Sequence, residues 1–430
     1  MKSNLRAIRP LLLLSIAACS PRLTPVSPAD LAARPGAIQS DIVYLASDAL
    51  EGRLTGTPGN DSAAAYIARR YAALRLTSPF PGYSQPFEAL SAEDAHLGRT
   101  APRHSQNVVA VIPGTDARLR GEYIVIGAHF DHLGRSTDFA LDPEAKDAIR
   151  NGADDNASGT AAVMELARIF KLAPARRSLM FVNFSGEELG LLGSHWFADH
   201  SPVPLDSIAL MVNFDMVGRL RDDKLIVYGR GTARELTAEV DSVNSAIPDG
   251  HFSISGSDDG FGPSDHSSFY AKDVPVLHFF TDIHDDYHRA TDDAEKINAP
   301  GEARVVDLAA GLVRAVADRD ARPTFVKMAP PPKTMTTREG QQVYLGSVPD
   351  MAAASVPGLK LTGVRPGSPA DAAGLKAGDI VVELGGAAVT DLYSYSAALY
   401  AHKPGDKLMI AVMRDGKRVE VTAILGKRGG

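Results

Sequence analysis

Five short, largely apolar runs punctuate the first three quarters of the chain: Val108–Ile112, Tyr123–Ile126, Leu179–Phe184, Ala209–Phe214 and Val274–Phe280. Continuous apolar runs of this length predict strands buried on both faces. Between them the apolar positions recur at helical spacing. Ala161, Met164, Leu166 and Ile169 mark a helix over Ala157–Phe170. Further helices are predicted around Tyr66–Tyr71, over Leu189–His200 and over Glu302–Ala317. Strands alternating with helices predict an α/β domain, a mostly parallel sheet with helices on both faces.

The pattern changes after Ala329-Pro330-Pro331-Pro332-Lys333. Short β-rich runs with glycine turns take over, so a linker at 321–340 and a small β-rich domain at 341–426 are expected. At 430 residues the chain has room for such a second domain. Its net charge of -7 makes neither nucleic acid nor an anionic membrane surface an expected partner.

The single cysteine, Cys19, excludes an intrachain disulfide and a catalytic thiol in the body of the chain. Its position is informative. Lys2, Arg6 and Arg9 precede the apolar run Leu11–Ile16, and Ala17-Ala18-Cys19 follows. A basic segment, a short apolar segment and small residues form a secretory leader, too short to span a bilayer. The stretch Ile16-Ala17-Ala18-Cys19 resembles the lipobox of bacterial lipoproteins. That resemblance implies a signal peptide at 1–18 and lipid on Cys19. It also implies an envelope location, with Ser20 favouring the outer membrane facing the periplasm. The other reading is a plain secretory signal. Residues 19–37, rich in Pro and Ala, read as a tether.

The chemistry centres on Glu187-Glu188, directly after the strand ending at Phe184. Adjacent carboxylates repel, and metal ions relieve that repulsion: one can ligate while the other takes a proton from water. Other metal-ligating types fall near element ends: His129, Asp155, Asp215 and His288. Ligands in open α/β sheets bind beyond the carboxyl ends of the strands. Two histidines and three carboxylates suit zinc, and one carboxylate must be shared for two ions to sit about 3.5–4 Å apart.

The motifs Gly127–His132, Gly152–Gly159, Ser185–Gly190, Asn213–Gly218 and Tyr287–Asp292 together resemble the zinc aminopeptidases of peptidase family M28, over roughly residues 38–320. The resemblance implies two Zn2+ ions bridged by Asp155. His129 and Asp215 would complete one site, and Glu188 and His288 the other. Glu187 would be the general base. Asp131 would orient the imidazole of His129, and Tyr287 would stabilise the oxyanion. Ser264-Asp265-His266 would support the pocket, and the Asp155–Asn156 peptide would be cis. Peptides are the implied substrates, attacked at the N-terminal residue. Arg289-Ala290 before Thr291-Asp292 departs from the family's pattern at the pocket rim. Val364–Ala370, Ala373–Val382 and the Gly385-Gly386 turn resemble a bacterial PDZ domain, with Tyr344-Leu345-Gly346 as its carboxylate-binding loop. A peptide or protein ligand in that groove is implied, by strand addition to a sheet edge. Two rivals stand beside this reading. One is a glutaminyl cyclase on the same fold, which by resemblance needs a single zinc. The other is a non-catalytic PDZ scaffold, which would usually lack a ligand.

Overall fold

The computed structural model describes residues 27–90, 101–137, 140–142, 144–247, 250–328, 343–349, 358–389, 395, 398–399 and 402–427. Cys19 and the leader lie outside the described residues, as does the Pro330–Pro332 run.

Eight strands form one sheet: β1 (Ser84–Ala89), β2 (Arg103–Ile112), β3 (Tyr123–His129), β4 (Ser178–Phe184), β5 (Ile208–Phe214), β6 (Lys224–Tyr228), β7 (Ser253–Ser255) and β8 (Val276–Phe280). Their spatial order is β1-β2-β4-β3-β5-β8-β6-β7. The central run β4-β3-β5-β8 is parallel throughout. The flanks are mixed, because β1–β2, β2–β4 and β6–β8 pair antiparallel. The expected mostly parallel sheet therefore holds at the centre and gives way towards the edges. The three strands without a sequence expectation, β1, β6 and β7, all lie in those flanks. In β1 polar residues break up the apolar ones, as Ser-Gln-Pro-Phe-Glu-Ala, and β7 has only the three residues Ser-Ile-Ser, whereas β6 carries the apolar run Leu225–Tyr228.

The central strands bury both faces. Ile124, Ile126 and Ala128 of β3 join one core with the helices Pro35–Leu45, Pro58–Ala73, Gly159–Leu172 and Ala299–Asp318. Val125 turns to the other core, with Phe197 and Phe269 from the helices Leu192–Asp199 and His266–Tyr270. Each fully buried Val, Leu, Ile or Phe contributes roughly 1.5–3 kcal/mol, so these two layers hold the strand ends rigidly. The helix expected over Leu189–His200 starts only at Leu192. Gly190 and Leu191 take φ of 107° and 62°, which no helix accommodates.

Two expected boundaries move. The tether expected at 19–37 is folded from its described part onward. Pro28–Leu31 and Pro35–Leu45 are helical. Asp307 accepts the amide of Ala33, and Arg168 donates to the carbonyls of Asp30 and Ala32. The linker expected at 321–340 is likewise packed through Met328: Val326 donates to the carbonyl of Thr232, and Met328 to the Tyr270 hydroxyl.

The C-terminal domain is antiparallel. Leu359–Val364, Ile380–Leu384, Lys407–Arg414 and Lys417–Ile424 pair in order around Leu361, Val381, Leu384, Ile410 and Val412. Leu384 pairs with Ala387 across Gly385-Gly386, whose φ of 60° and 84° is the two-residue hairpin geometry. Gly346, also at positive φ, lies so close to Ser368 that a Cβ would sit 2.2 Å from that residue's own. Among the described residues no helix is long and apolar enough to cross a membrane.

Candidate metal centre

The chain reverses its direction of winding at β3, with β4 on one side and β5 on the other. Open α/β sheets bind ligands at such a point, outside the carboxyl ends of the strands. His129 is the last residue of β3, Glu187 and Glu188 follow β4, and Asp215 follows β5. Asp155 comes from the turn before the helix Gly159–Leu172, and His288 from the loop after β8.

The structure brings these residues into two nests that share Asp155. His129 Nε2 lies 3.4 Å from Asp155 Oδ1 and 3.4 Å from Asp215 Oδ1. His288 Nε2 lies 3.1 Å from Asp155 Oδ2 and 3.3 Å from Glu188 Oε2. Two ligand atoms on one tetrahedral zinc stand roughly 3.3–3.5 Å apart, given bonds of about 2.0–2.2 Å. The spacing in both nests is of that size. His129 Nε2 is buried and makes no hydrogen bond, although two carboxylates face it. A cation between them would satisfy all three, so the donor set fits a metal.

Burial disfavours charge on each of these groups. For His129 it is outweighed by Asp215, Asp131 and Asp155, which hold the imidazolium well above the usual histidine range. For His288, burial is outweighed by Glu188 and Asp155, and the group is raised to about 10. For Asp155, burial is outweighed by His129 and His288, which hold the carboxylate well below its ordinary range. Without metal the centre is thus a set of imidazolium–carboxylate pairs whose protons a cation must displace.

The Asp155 turn has little freedom. Gly152 takes a φ of 58°, and a Cβ on it would lie 2.1 Å from the Asp155 carbonyl and 2.4 Å from the His132 ring. Asp292 Oδ2 accepts the amides of both Asp154 and Asp155, at 2.9 and 3.1 Å. The side chain of Asn156 binds the carbonyl of Phe214 and the amide of Met216, which ties this turn to the residues either side of Asp215. The Asp155–Asn156 peptide is cis.

Asp131 is a hub. Its main-chain oxygen lies 3.2 Å from His129 Nδ1, closer than its carboxylate at 3.6 Å. The carboxylate instead accepts the amide of Glu187 at 3.2 Å and the hydroxyl of Thr55 at 2.9 Å. Asp131 therefore orients His129 mainly through its backbone, while its side chain fixes the position of Glu187. Tyr287 stacks on the imidazole of His288, with ring centroids 3.9 Å apart. Ser264 accepts from Asn213. Asp265 beside it is fully buried, which pushes its carboxyl up to about 7.

Three residues of this centre, and Arg53 behind it, which donates to the carbonyls of Phe130 and Gly152, are not singled out by the sequence. His132 Nδ1 lies 2.9 Å from Glu188 Oε1, and with Asp155 and Glu188 it forms a group able to hold a metal. It stands three residues after His129, a spacing that could have drawn attention to it. Asp292 shares its motif with His288. Arg53 and Thr55 lie far upstream and carried no signal.

Residues 107–313 match the model of peptidase family M28, and residues 334–425 that of a PDZ domain. Aminopeptidase YwaD of Bacillus subtilis is 26% identical over 230 residues, which cover 52% of this chain and 47% of that protein. The chain thus spans about half the length of that relative. Among solved structures, a zinc aminopeptidase from Bacillus subtilis superposes with a TM-score of 0.53 at 18% identity, covering 68% of this chain and 97% of the other. A Zn-dependent exopeptidase from Parabacteroides distasonis gives a TM-score of 0.55 at 16% identity, covering 65% and 98%. At these identities the two structures bear on the fold alone.

Proposed function

The chain carries a peptidase family M28 domain followed by a PDZ domain, and on that premise we propose that it is a two-zinc aminopeptidase of the bacterial cell envelope. One observation carries the reading: the two oxygens of Asp155 are divided between His129 and His288, each histidine facing a further carboxylate. His129, Asp155 and Asp215 would hold one zinc, and Asp155, Glu188 and His288 the other. The shared, two-sided arrangement speaks for a pair of ions and against the single-zinc cyclase alternative.

The chemistry a zinc pair supplies when bound is Lewis-acid polarisation of a carbonyl and a lowered pKa for water. The chain's own part is positioning and proton transfer. Glu187 takes the proton of the attacking water and returns it to the leaving amine. Its main chain is fixed to Asp131, which also orients His129, so base and ligand keep one geometry. Tyr287, whose ring stacks on that of His288, would donate its phenol to the developing oxyanion. The carboxylates around the nests favour a protonated substrate amine, which selects the N-terminal residue of a peptide.

Glu187→Gln keeps size and removes the basic oxygen. A panel of aminoacyl chromogenic substrates, with zinc analysis of the same samples, tests the reading. We expect kcat to fall about 10²–10⁴-fold with zinc content unchanged. Activity near that of the parent at full zinc would reject Glu187 as the base.

The PDZ domain would capture extended peptides at its sheet edge. Lipid on Cys19 would hold the enzyme at the outer membrane, facing the periplasm. Cys19→Ser should move the protein from the membrane fraction to the soluble one with activity retained, since the expected ligands and Glu187 all lie from His129 onward. A variant that stays in the membrane fraction would reject the anchor.

A further inference from the structure

Residues 52–60 precede the segment that matches the peptidase model, yet they pack against the back of the centre. Arg53 is 0% exposed and takes a left-handed φ of 53°. Among the described residues its guanidinium meets no carboxylate. It donates to main-chain carbonyls instead: Phe130 at 2.7 Å, Asn151 at 2.6 Å, Gly152 at 2.9 Å, and Leu45. Phe130 stands between His129 and Asp131, and Gly152 opens the turn that carries Asp155. One rigid, planar fork therefore spans the two loops that bring ligands to the same nest.

Thr55, also 0% exposed, donates to Asp131 Oδ2. Asp131 in turn holds the Glu187 amide and faces the His129 ring. Asn60 closes the segment on itself by donating to the carbonyl of Arg53. It also accepts from Ser105 and from Ser185, two residues before Glu187. The path leaves no room for side chains at its glycines. A Cβ on Gly52 would sit 2.1 Å from the Arg150 carbonyl, and one on Gly59 would sit 1.9 Å from that of Leu50.

A buried arginine often serves only to satisfy carbonyls. Here every element it binds, Leu45 apart, leads within a few residues to an expected zinc ligand, and Thr55 repeats the pattern from the same strap. Carboxylates of the centre lie close enough to offset part of the desolvation that draws the guanidinium down to about 10, so it stays charged at neutral pH. We propose that Arg53 and Thr55 are positioning residues of the metal centre. Arg53 sets the separation of the His129 and Asp155 loops. Thr55 fixes Asp131, and through it the His129 imidazole and the Glu187 main chain. This inference rests on the two-zinc reading of the site.

The test measures zinc affinity per folded molecule, which a merely structural staple would leave alone. Full-length parent, Thr55→Val, Thr55→Ser and Arg53→Lys are stripped of metal, checked for fold by circular dichroism, and titrated with zinc against a chromophoric chelator. Thr55→Val is nearly isosteric and removes the donor. One of its two zincs should bind about 10–100-fold more weakly, the range for loss of a partner behind a ligand. Thr55→Ser keeps the hydroxyl and should restore affinity to within about threefold of the parent. Arg53→Lys keeps the charge but lacks the fork, and should weaken zinc in the His129 nest. Thr55→Ala carries the same comparison should the valine not pack. A folded Thr55 variant without the hydroxyl that binds both zincs as the parent does would overturn the proposal while leaving the two-zinc reading intact. A parent that takes up no zinc would overturn both.

Discussion

The two nests of the metal centre are built by different means. His129 and Asp215 lie at the ends of β3 and β5, which pair in parallel, so the ladder itself sets their spacing. His288 has no strand beneath it. It takes a left-handed φ of 53° in the loop after β8. Its carbonyl accepts from Leu141, the next residue but one donates to Asp142, and the Tyr287 ring covers its imidazole. Segments held by few loop contacts open at lower free energy than packed strands. One half of the centre is thus set by two paired strands, while the other joins Glu188, beyond β4, to His288 on a loop. The loop-built half should exchange its metal faster.

The largest effect is expected where the two halves meet. Asp155→Ala removes the one carboxylate they share. Zinc content should fall in both nests and peptidase activity should drop to background. Metal analysis showing two zincs in this variant would mean that the halves are independent after all.

A smaller and one-sided effect is expected from Asp142→Ala, which removes the acceptor for Ala290 and leaves the strands alone. The zinc at His288 should weaken by about 10–100-fold, while the zinc at His129 stays within a fewfold of the parent. Equal weakening of both would erase the distinction between sheet-built and loop-built halves. Because Asp142 also pairs with the buried Arg150, the melting temperature should be read alongside.

The smallest effect is on the stability of the metal-free protein. His288 is raised to about 10, above the histidine value of about 6.5 in an unfolded chain. A raised folded-state value means that the proton stabilises the fold. The contribution is complete below about pH 6.5 and is lost as pH climbs towards 10. The melting temperature of the metal-free protein should therefore decline across that window. The zinc-loaded protein, whose ligand histidines carry no such proton, should lack this component. Identical pH profiles with and without zinc would show that the loop does not hold the proton.

The difference between the halves also explains what could be read from the chain. The residues at strand ends stood out because continuous apolar runs point to them: Phe184 leads to Glu187-Glu188, and Phe214 to Asp215. The Gly385-Gly386 turn was legible for a similar reason, since only glycines readily take its backbone angles. Strand β1, with Ser, Gln and Glu among its six residues, offers no such run, and with it the antiparallel pairing of β2 is not legible. His132, Asp292, Arg53 and Thr55 owe their roles to partners between 56 and 138 positions away. No local period encodes a contact of that span. The tether and linker boundaries move because residues 28–37, rich in Pro and Ala, and residues 321–328 show neither a helical nor a strand period in isolation. Their order comes from partners such as Arg168, Asp307 and Tyr270, on elements distant in the sequence.

With lipid on Cys19, as proposed, the early start of the folded domain would limit how far the enzyme stands from a surface. The described chain begins at Ser27, which caps the helix Pro28–Leu31, eight positions after Cys19. Even fully extended, eight residues reach at most about 29 Å. The described chain starts beside Arg168, nine residues along the helix that begins at Gly159 next to the metal centre, or about 14 Å along its axis. An enzyme moored through Cys19 would be kept within roughly one small-domain diameter of the bilayer. Peptides that drift through that aqueous layer would be its substrates.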